Sequence, residues 1–146
     1  MHDPCASSTL SVLVAEDLDD DYDTVVEAAR KAGVEDQLVR VRTLSEVRSL
    51  LASAPRPRFG FVLLDVNLPD GGGLDLVRAV RADAQLGTMP VVVFSTSDNP
   101  RDLHGLYAAG ANAYHVKSLR HRDNLDTLVR IFGYWLDAVC LDDPAG

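Results

Sequence analysis

Five short runs rich in β-branched and apolar residues alternate with longer stretches whose apolar residues recur every three or four positions. The short runs predict β-strands and the long stretches predict amphipathic helices. Two of the runs, FVLLD and VVVFS, are apolar throughout, which is typical of strands buried on both faces of a sheet. The predicted strands are Leu10–Ala15, Gln37–Arg42, Phe61–Asp65, Val91–Ser95 and Asn112–Val116.

The predicted helices follow the strands one for one, with start and stop signals at several ends. Gly33 and Gly110 are stop signals after the first and fourth helices. Thr43 or Ser45 can cap the second, which reaches about Ala52. The other predicted helices are Asp21–Lys31, Gly73–Ala82, Asn99–Ala109 and Asp123–Cys140.

This alternation of strand and helix predicts an α/β fold with a parallel sheet covered by helices on both faces. Its crossovers are expected to be right-handed. Ligands of such sheets bind beyond the carboxyl ends of the strands, near the point where the strand order reverses. We expect one domain over residues 10–141, with tails at 1–9 and 142–146.

The overall composition is that of an ordinary globular domain, with 146 residues, 47% of them hydrophobic and 25% charged. A net charge of −8 argues against nonspecific binding to nucleic acid. No apolar run approaches the roughly 20 residues of a membrane span, and the N-terminus does not resemble a signal peptide. Cys5 and Cys140 lack a metal-binding spacing, so we expect a cytoplasmic protein without a membrane partner.

Chemically useful side chains stand where four of the predicted strands end. In a parallel sheet all of them reach the same edge. Clustered carboxylates favour a hard divalent cation such as Mg²⁺, and an aspartate can act as a nucleophile that forms an aspartyl-phosphate. A hydroxyl and an ammonium can then hold the phosphoryl oxygens. The residues at the strand ends are Glu16, Asp17, Asp65, Ser95, Thr96 and Lys117.

Each of these residues alone also has an ordinary structural interpretation. Asp17 fits a solvated acidic loop, Lys117 a surface lysine, and Ser95 a strand-end hydroxyl. A calcium loop counted from Asp17 is excluded, because Tyr22 stands where glycine is required and Ala28 where glutamate is required. The placement of all of them at one edge favours a functional site.

The motifs that carry these residues resemble those of the response-regulator receiver domains of two-component signalling. They are the acidic pair Glu16-Asp17, the D-x-x-L-P-x-x-x-G run from Asp65 to Gly73, VVVFSTS with Ser95, and Tyr114-x-x-Lys117. The resemblance covers Leu10 to Leu141. It implies a flavodoxin-like sheet of five parallel strands in the order 2-1-3-4-5.

The resemblance implies that Asp65 is the phosphoacceptor and that Mg²⁺ is the cofactor. Asp17 is expected to bind the metal directly, Glu16 through water, and Asn67 through its backbone carbonyl, beside Asp65 itself. Such a protein is not an enzyme in the usual sense, since it catalyses only its own phosphorylation and dephosphorylation.

The remaining motif residues are expected to recognise phosphate and to transmit its presence. Ser95, Lys117 and the Thr96 backbone N–H are expected to contact the phosphoryl group, and Ser95 and Tyr114 to form the switch pair. Asn67 and Ser97 are expected to tune the lifetime of the phosphate. The switch is expected to bias the surface of helix four, strand five and helix five by a population shift.

The implied partner is a sensor histidine kinase. FSTSDN, VKS and YWL together resemble the small receivers that are paired with bacterial phytochrome kinases. Lys117 is followed by Ser118, where most receivers have proline and the bond is usually cis. A cis bond before serine costs about 3–4 kcal/mol, so either the bond is trans or the site constrains it.

The final predicted helix carries a wide apolar face, and we expect it to extend past the domain that it covers. Its first half is expected to pack on the sheet, and Trp135, Leu136 and Val139 are expected to form an exposed patch. Three further apolar residues lie outside this face and add to the apolar character of the segment: Ile131, Tyr134 and Leu141. We therefore expect a homodimer built on helix four, strand five and helix five.

Two other functions fit parts of the pattern. A phosphatase of the haloacid dehalogenase type also uses a strand-end aspartate, but it needs a second aspartate where this chain has Asn67, which cannot act as an acid. A degenerate receiver that binds partners without phosphorylation is disfavoured by the intact Asp17, Asp65, Ser95 and Lys117. Ser118 keeps this second alternative open.

Overall fold

A computed structural model describes residues 10–70, 72–139 and 141 of the chain. Its sheet has five parallel strands in the order β2-β1-β3-β4-β5, which confirms the predicted flavodoxin-like topology. The predicted tails, 1–9 and 142–146, and Cys140 lie outside the described residues. The strands are β1 Ser11–Ala15, β2 Leu38–Val41, β3 Phe59–Leu64, β4 Val91–Ser95 and β5 Ala113–Val116.

Five α-helices connect and follow these strands, and their ends reflect local capping chemistry. The Thr43 hydroxyl accepts a hydrogen bond from the Glu46 N–H at the start of the second helix. The first helix begins at Asp19, two residues before its predicted start, and three aspartates in its first turn suit the positive end of the helix dipole. The helices are α1 Asp19–Lys31, α2 Leu44–Ala52, α3 Gly72–Ala82, α4 Pro100–Ala109 and α5 His121–Gly133, with a 3₁₀ turn at Glu35–Gln37.

The helices form a layer on each face of the sheet. α2, α3 and α4 cover one face, where Leu13, Val62 and Val93 point, and α1 and α5 cover the other, where Val12 and Phe61 point. β3 lies in the centre and is buried along its whole length. No described helix has the length and apolar character that crossing a membrane requires.

The strand register brings the carboxyl ends of the strands together. Ala15 at the end of β1 pairs with Leu64 at the end of β3, and Ser95 at the end of β4 pairs with Val116 at the end of β5. The residue that follows each strand therefore reaches one edge of the sheet.

The last helix differs from its predicted form. It was predicted as one helix over Asp123–Cys140, whereas α5 ends at Gly133 and a π-helical segment follows over Tyr134–Ala138. The Val139 N–H donates to the Tyr134 carbonyl at 2.9 Å, five residues back, which is the wider spacing of a π turn. This turn changes which side chains face the sheet.

The exposed apolar patch predicted at Trp135, Leu136 and Val139 is wrong for Leu136, which is only 4% exposed. Trp135 is half-buried with its ring centroid 6.4 Å from that of Phe61, and Val139 is half-buried as well. The physical reason is Gly60 on β3, because a Cβ at that position would lie 3.1 Å from Leu141 and 3.4 Å from Leu136. The missing side chain leaves the space that Leu136 and Leu141 fill.

Substitution at the π-helical segment should therefore reveal a core residue beside a surface residue. Leu136→Ala is expected to lower the free energy of unfolding by about 2–5 kcal/mol, as other leucine truncations in cores do. Tyr134→Ala, at a side chain that is 56% exposed and contacts the Trp135 ring edge, is expected to cost about 1 kcal/mol or less. Urea unfolding of both variants measures the difference, and equal losses would contradict the burial of Leu136.

Candidate functional site at the carboxyl edge of the sheet

Asp65 lies directly after β3 and is held by backbone contacts on both sides. Its N–H donates to the Ala15 carbonyl at 3.0 Å, which extends the pairing of β1 and β3 by one residue. The Asn67 N–H donates to Asp65 Oδ1 at 3.2 Å. The side chain is only 6% exposed. This carboxylate is therefore fixed on a rigid element at the end of a buried strand.

Glu16 occupies the corresponding position after β1 and is also buried. Its N–H donates to the Val41 carbonyl at 3.0 Å, and its Oε1 accepts from the Leu18 N–H at 3.2 Å. Burial, and then repulsion from Asp65, raise the pKa of Glu16 to about 7, although Lys117 acts in the opposite direction. Two buried carboxylates therefore compete for the same positive charge.

That charge is the ammonium of Lys117, which follows β5. Its Nζ lies 2.8 Å from Asp21 Oδ2, 3.1 Å from Glu16 Oε2 and 3.4 Å from Asp65 Oδ2. Burial by itself would lower the pKa of Lys117, but its hydrogen bond to Asp21 and the charges of Asp65 and Glu16 outweigh burial and raise the pKa. One ammonium thus faces three carboxylates, and the centre keeps an excess of negative charge.

Asp21 is a residue of this centre that the sequence reasoning did not include. Glu16, Asp21 and Asp65 each offer a carboxylate oxygen within 4.8 Å of the others, an arrangement that can hold a metal ion, and Asp17 is not one of this group. Asp21 lies in the first turn of α1. The sequence did contain one relevant observation. The helix that follows β1 must begin near the carboxyl edge of the sheet, so acidic residues in its first turn can reach the site.

Arg40 of β2 is a second residue that the sequence reasoning missed. Its Nε donates to the Glu16 carbonyl at 3.0 Å, its Nη1 lies 2.9 Å from Asp19 Oδ1, and its guanidinium carbon lies 4.4 Å from the centroid of the Tyr22 ring. Arg40 therefore connects the loop that carries the acidic residues to β2 and α1.

The predicted switch residues lie on the neighbouring strands β4 and β5, where Tyr114 pairs with Val93 and Ser95 pairs with Val116. Ser95 is fully buried, and its Oγ accepts from the Ser97 N–H at 3.3 Å. The half-buried Tyr114 packs against the core between the sheet and α2, α3 and α4, and its hydroxyl donates to the Ser97 carbonyl at 2.8 Å. Tyr114 therefore has its ring turned inward. Of the neighbouring residues, Ser97 donates its hydroxyl to Asp102, and Thr96 is exposed.

The peptide bond between Lys117 and Ser118 is trans, since Ala54–Pro55 has the only cis bond in the described part of the chain. The sequence left two possibilities for this bond, and the structure has the first. The Lys117 N–H donates to the Ser95 carbonyl at 2.7 Å, so the backbone of the lysine stays paired with β4.

Comparison with protein families gives a match to the response regulator receiver domain over residues 12–130. Among characterised proteins, the chain is 29% identical over 136 residues to the response regulator Rcp1 of Synechocystis, covering 89% of this chain and 91% of that protein. It is 34% identical over 74 residues to the chemotaxis protein CheY of Pseudomonas aeruginosa, covering 51% of this chain and 60% of that protein.

Solved structures show the same similarity over nearly the whole chain. The Mn²⁺-bound form of Rcp1 superposes with a TM-score of 0.84 at 28% identity, covering 91% of this chain and 99% of that one. The phosphorylated cyanobacterial phytochrome response regulator RcpA gives 0.82 at 30% identity, covering 93% and 99%. RPA3017, a response regulator in red light signalling of R. palustris, gives 0.78 at 27% identity, covering 91% and 98%.

Proposed function

Since this chain belongs to the response-regulator receiver family, we propose that it accepts a phosphoryl group from a sensor histidine kinase on Asp65. The observation that carries the proposal is the geometry at the end of β3, where the buried Asp65 carboxylate lies 3.4 Å from the Lys117 ammonium. A nucleophile on a rigid strand end with a cation beside it suits phosphoryl transfer.

In the proposed reaction an oxygen of Asp65 forms a bond to phosphorus while the phosphorus–nitrogen bond of the donor phosphohistidine breaks. The electron pair of that bond leaves with the imidazole ring, which departs neutral because its other nitrogen carries a proton. Asp65 Oδ1 accepts from the Asn67 N–H and Oδ2 faces Lys117, so both oxygens have partners that orient the carboxylate. The Lys117 ammonium then balances part of the charge on the phosphoryl oxygens.

We propose Mg²⁺ as the cofactor, held by Glu16, Asp17, Asp65 and the Asn67 carbonyl. The residues present fit this ion, because they offer only oxygen ligands and leave negative charge that Lys117 does not balance. Bound Mg²⁺ supplies positive charge for the phosphoryl oxygens during transfer.

Two aspartates of the acidic loop are expected to respond differently when Mg²⁺ binding is measured. Asp17 has no ion pair with a cation in the described structure, whereas Asp21 is paired with Lys117 at 2.8 Å. Asp17→Asn is therefore expected to weaken Mg²⁺ binding by at least about 10-fold, and Asp21→Asn by clearly less. Thermal midpoints measured over a Mg²⁺ titration give both affinities, and a larger loss in Asp21→Asn would assign the metal to Asp21 instead.

We propose that phosphorylation is transmitted through Ser95, Thr96 and Tyr114 to the surface of α4, β5 and α5. The hydrogen bond from the Tyr114 hydroxyl to the Ser97 carbonyl supports this route, because it joins β5 to the loop before α4. The tuning of phosphate lifetime is proposed for Asn67, whose side chain is exposed, and for Ser97 through its bond to Asp102.

The same surface is the proposed contact for a second copy of the chain or another protein. Because Leu136 is buried, the apolar side chains available for this contact are the exposed ones: Leu103 and Tyr107 of α4, Val116 of β5, and Tyr134.

The proposed kinase is a bacterial phytochrome. The support is similarity to RcpA, a cyanobacterial phytochrome response regulator, and to RPA3017, a response regulator in red light signalling.

The first test of the proposal is the intact mass of wild-type protein after incubation with acetyl phosphate and Mg²⁺. One phosphoryl group is expected, lost in base, retained in acid, and located by peptide mapping on the segment that contains Asp65. The same incubation with a chelator in place of Mg²⁺ should give no adduct. A wild-type protein that takes up no phosphate would favour the alternative that Ser118 raises, a receiver that binds partners without phosphorylation.

A further inference from the structure

The side chain of Asn124 forms two hydrogen bonds to the backbone of Ser118, the residue after Lys117. The Ser118 N–H donates to Asn124 Oδ1 at 2.7 Å, and Asn124 Nδ2 donates to the Ser118 carbonyl at 2.9 Å. Asn124 lies in the first turn of α5 and is partly buried. One amide thus satisfies both backbone groups of Ser118, an arrangement called here the Asn124 clamp.

Lys117 lies between two backbone attachments because of this clamp. On one side its own N–H donates to the Ser95 carbonyl at 2.7 Å, which ties it to β4. On the other side the clamp ties the next residue to α5. The side chain between these attachments is 7% exposed and reaches Asp21, Glu16 and Asp65. A shift of the Ser118 peptide would therefore move the ammonium relative to Asp65.

The clamp requires a residue other than proline at position 118, because both of its bonds go to backbone groups. Proline has no N–H and fixes its own backbone geometry, so it would lose the 2.7 Å bond to Asn124. The Ser118 hydroxyl also accepts from the Arg120 N–H at 3.1 Å. The backbone at this position is thus fixed by side-chain hydrogen bonds in place of a ring.

We propose that Asn124 is a positioning residue that sets the location of the Lys117 ammonium by holding the Ser118 peptide. The proposal rests on the proposed function, because it assigns Lys117 a part in phosphoryl transfer. It adds a residue on a different element, seven positions from Lys117, that touches neither the phosphoryl group nor its acceptor.

The test measures the rate of phosphorylation by acetyl phosphate, with Mg²⁺, in Asn124→Ala and Asn124→Asp. Asn124→Ala is expected to slow the reaction on the order of 10-fold, as misplacement of a reacting group does. Asn124→Asp keeps the acceptor for the Ser118 N–H and loses the donor for the Ser118 carbonyl. Its rate is therefore expected to lie between the rates of wild type and Asn124→Ala. Asp126→Ala, an exposed site on the same helix, is the matched control and should react like wild type.

A double-mutant cycle with Lys117→Ala separates positioning from a general structural effect. If Asn124 acts through Lys117, Asn124→Ala causes no further slowing when Lys117 is already alanine. An equal slowing in both backgrounds would overturn the proposal, as would a wild-type rate in Asn124→Ala.

Amide hydrogen exchange tests the clamp without any phosphorylation. The Lys117 and Ser118 amides are expected to exchange faster in Asn124→Ala and at the wild-type rate in Asp126→Ala. Unchanged exchange of both amides in Asn124→Ala would overturn the proposal. A wild-type protein that accepts no phosphate would instead contradict the proposed function, while the exchange data still decide whether Asn124 holds this segment.

Discussion

Asp65→Asn protein is expected to take up no phosphoryl group under conditions that load wild-type protein. The amide has nearly the shape of the carboxylate but lacks its negative charge, so it does not attack phosphorus. The loss should be complete, because Asp65 is the proposed acceptor; Glu16 and Asp21 also pair with Lys117, so an adduct that persisted would point to one of them. The fold should survive, since Asp65 is held by its backbone N–H as well as by its side chain.

The measurement is intact mass after treatment with acetyl phosphate and Mg²⁺, beside wild type and Asp36→Asn. Asp36 lies in the exposed 3₁₀ turn before β2 and undergoes the same chemical change, so its adduct should equal that of wild type. A base-labile adduct on Asp65→Asn at the wild-type level would show that another residue is the acceptor.

Lys117→Met is expected to destabilise the metal-free protein by about 3–5 kcal/mol at pH 8, the usual result when a buried charge loses its partner. Methionine fills similar space, so the loss comes from charge. Glu16 and Asp65 would stay buried without the ammonium that now lies 3.1 and 3.4 Å from them. Asp21 is more exposed, at 38% of its side chain, and water can solvate it.

The same substitution is expected to cost less at pH 5. Burial and Asp65 raise the pKa of Glu16 in the folded protein to about 7, from 4.5. The stability linked to this group is therefore complete below about pH 4.5 and is lost as pH rises through about 7. At pH 5 the folded Glu16 is largely protonated with or without Lys117, so removing the ammonium matters less there.

Urea unfolding at pH 5 and pH 8 without divalent cations measures both values. Lys31→Met is the matched control, because Lys31 is exposed at the end of α1, and its effect should be small at both pH values. An equal cost of Lys117→Met at pH 5 and pH 8 would contradict the raised pKa of Glu16.

The strands and their order could be predicted from the sequence because burial on both faces leaves a direct pattern. FVLLD and VVVFS admit few other interpretations, and parallel strands carry the residues after them to one edge. The encounter of Lys117 with Glu16 and Asp65, which lie 101 and 52 positions away in the chain, followed from topology alone. Predictions that depend only on which strand a residue follows were therefore within reach of the sequence.

Predictions that depend on side-chain direction were not. Leu136 belongs to an apolar face whether it is buried or exposed, and its burial follows from a π turn and from the space beside Gly60. The ion pair of Asp21 depends on where α1 begins, in a run of acidic residues that all look alike. The Asn124 clamp joins a loop to a helix through one rotamer. No periodic pattern records any of these.

The hydrogen bond from Tyr114 to the Ser97 carbonyl sets a limit on what that tyrosine can control. A hydrogen bond of this kind contributes about 0.5–1.5 kcal/mol net, which changes a ratio of two conformations by about tenfold or less. Moving a domain from a 1:99 to a 99:1 population takes about 5.5 kcal/mol. Other contacts of the proposed output state must therefore supply most of this energy, and the bond from Tyr114 to the Ser97 carbonyl contributes only a minor part of it.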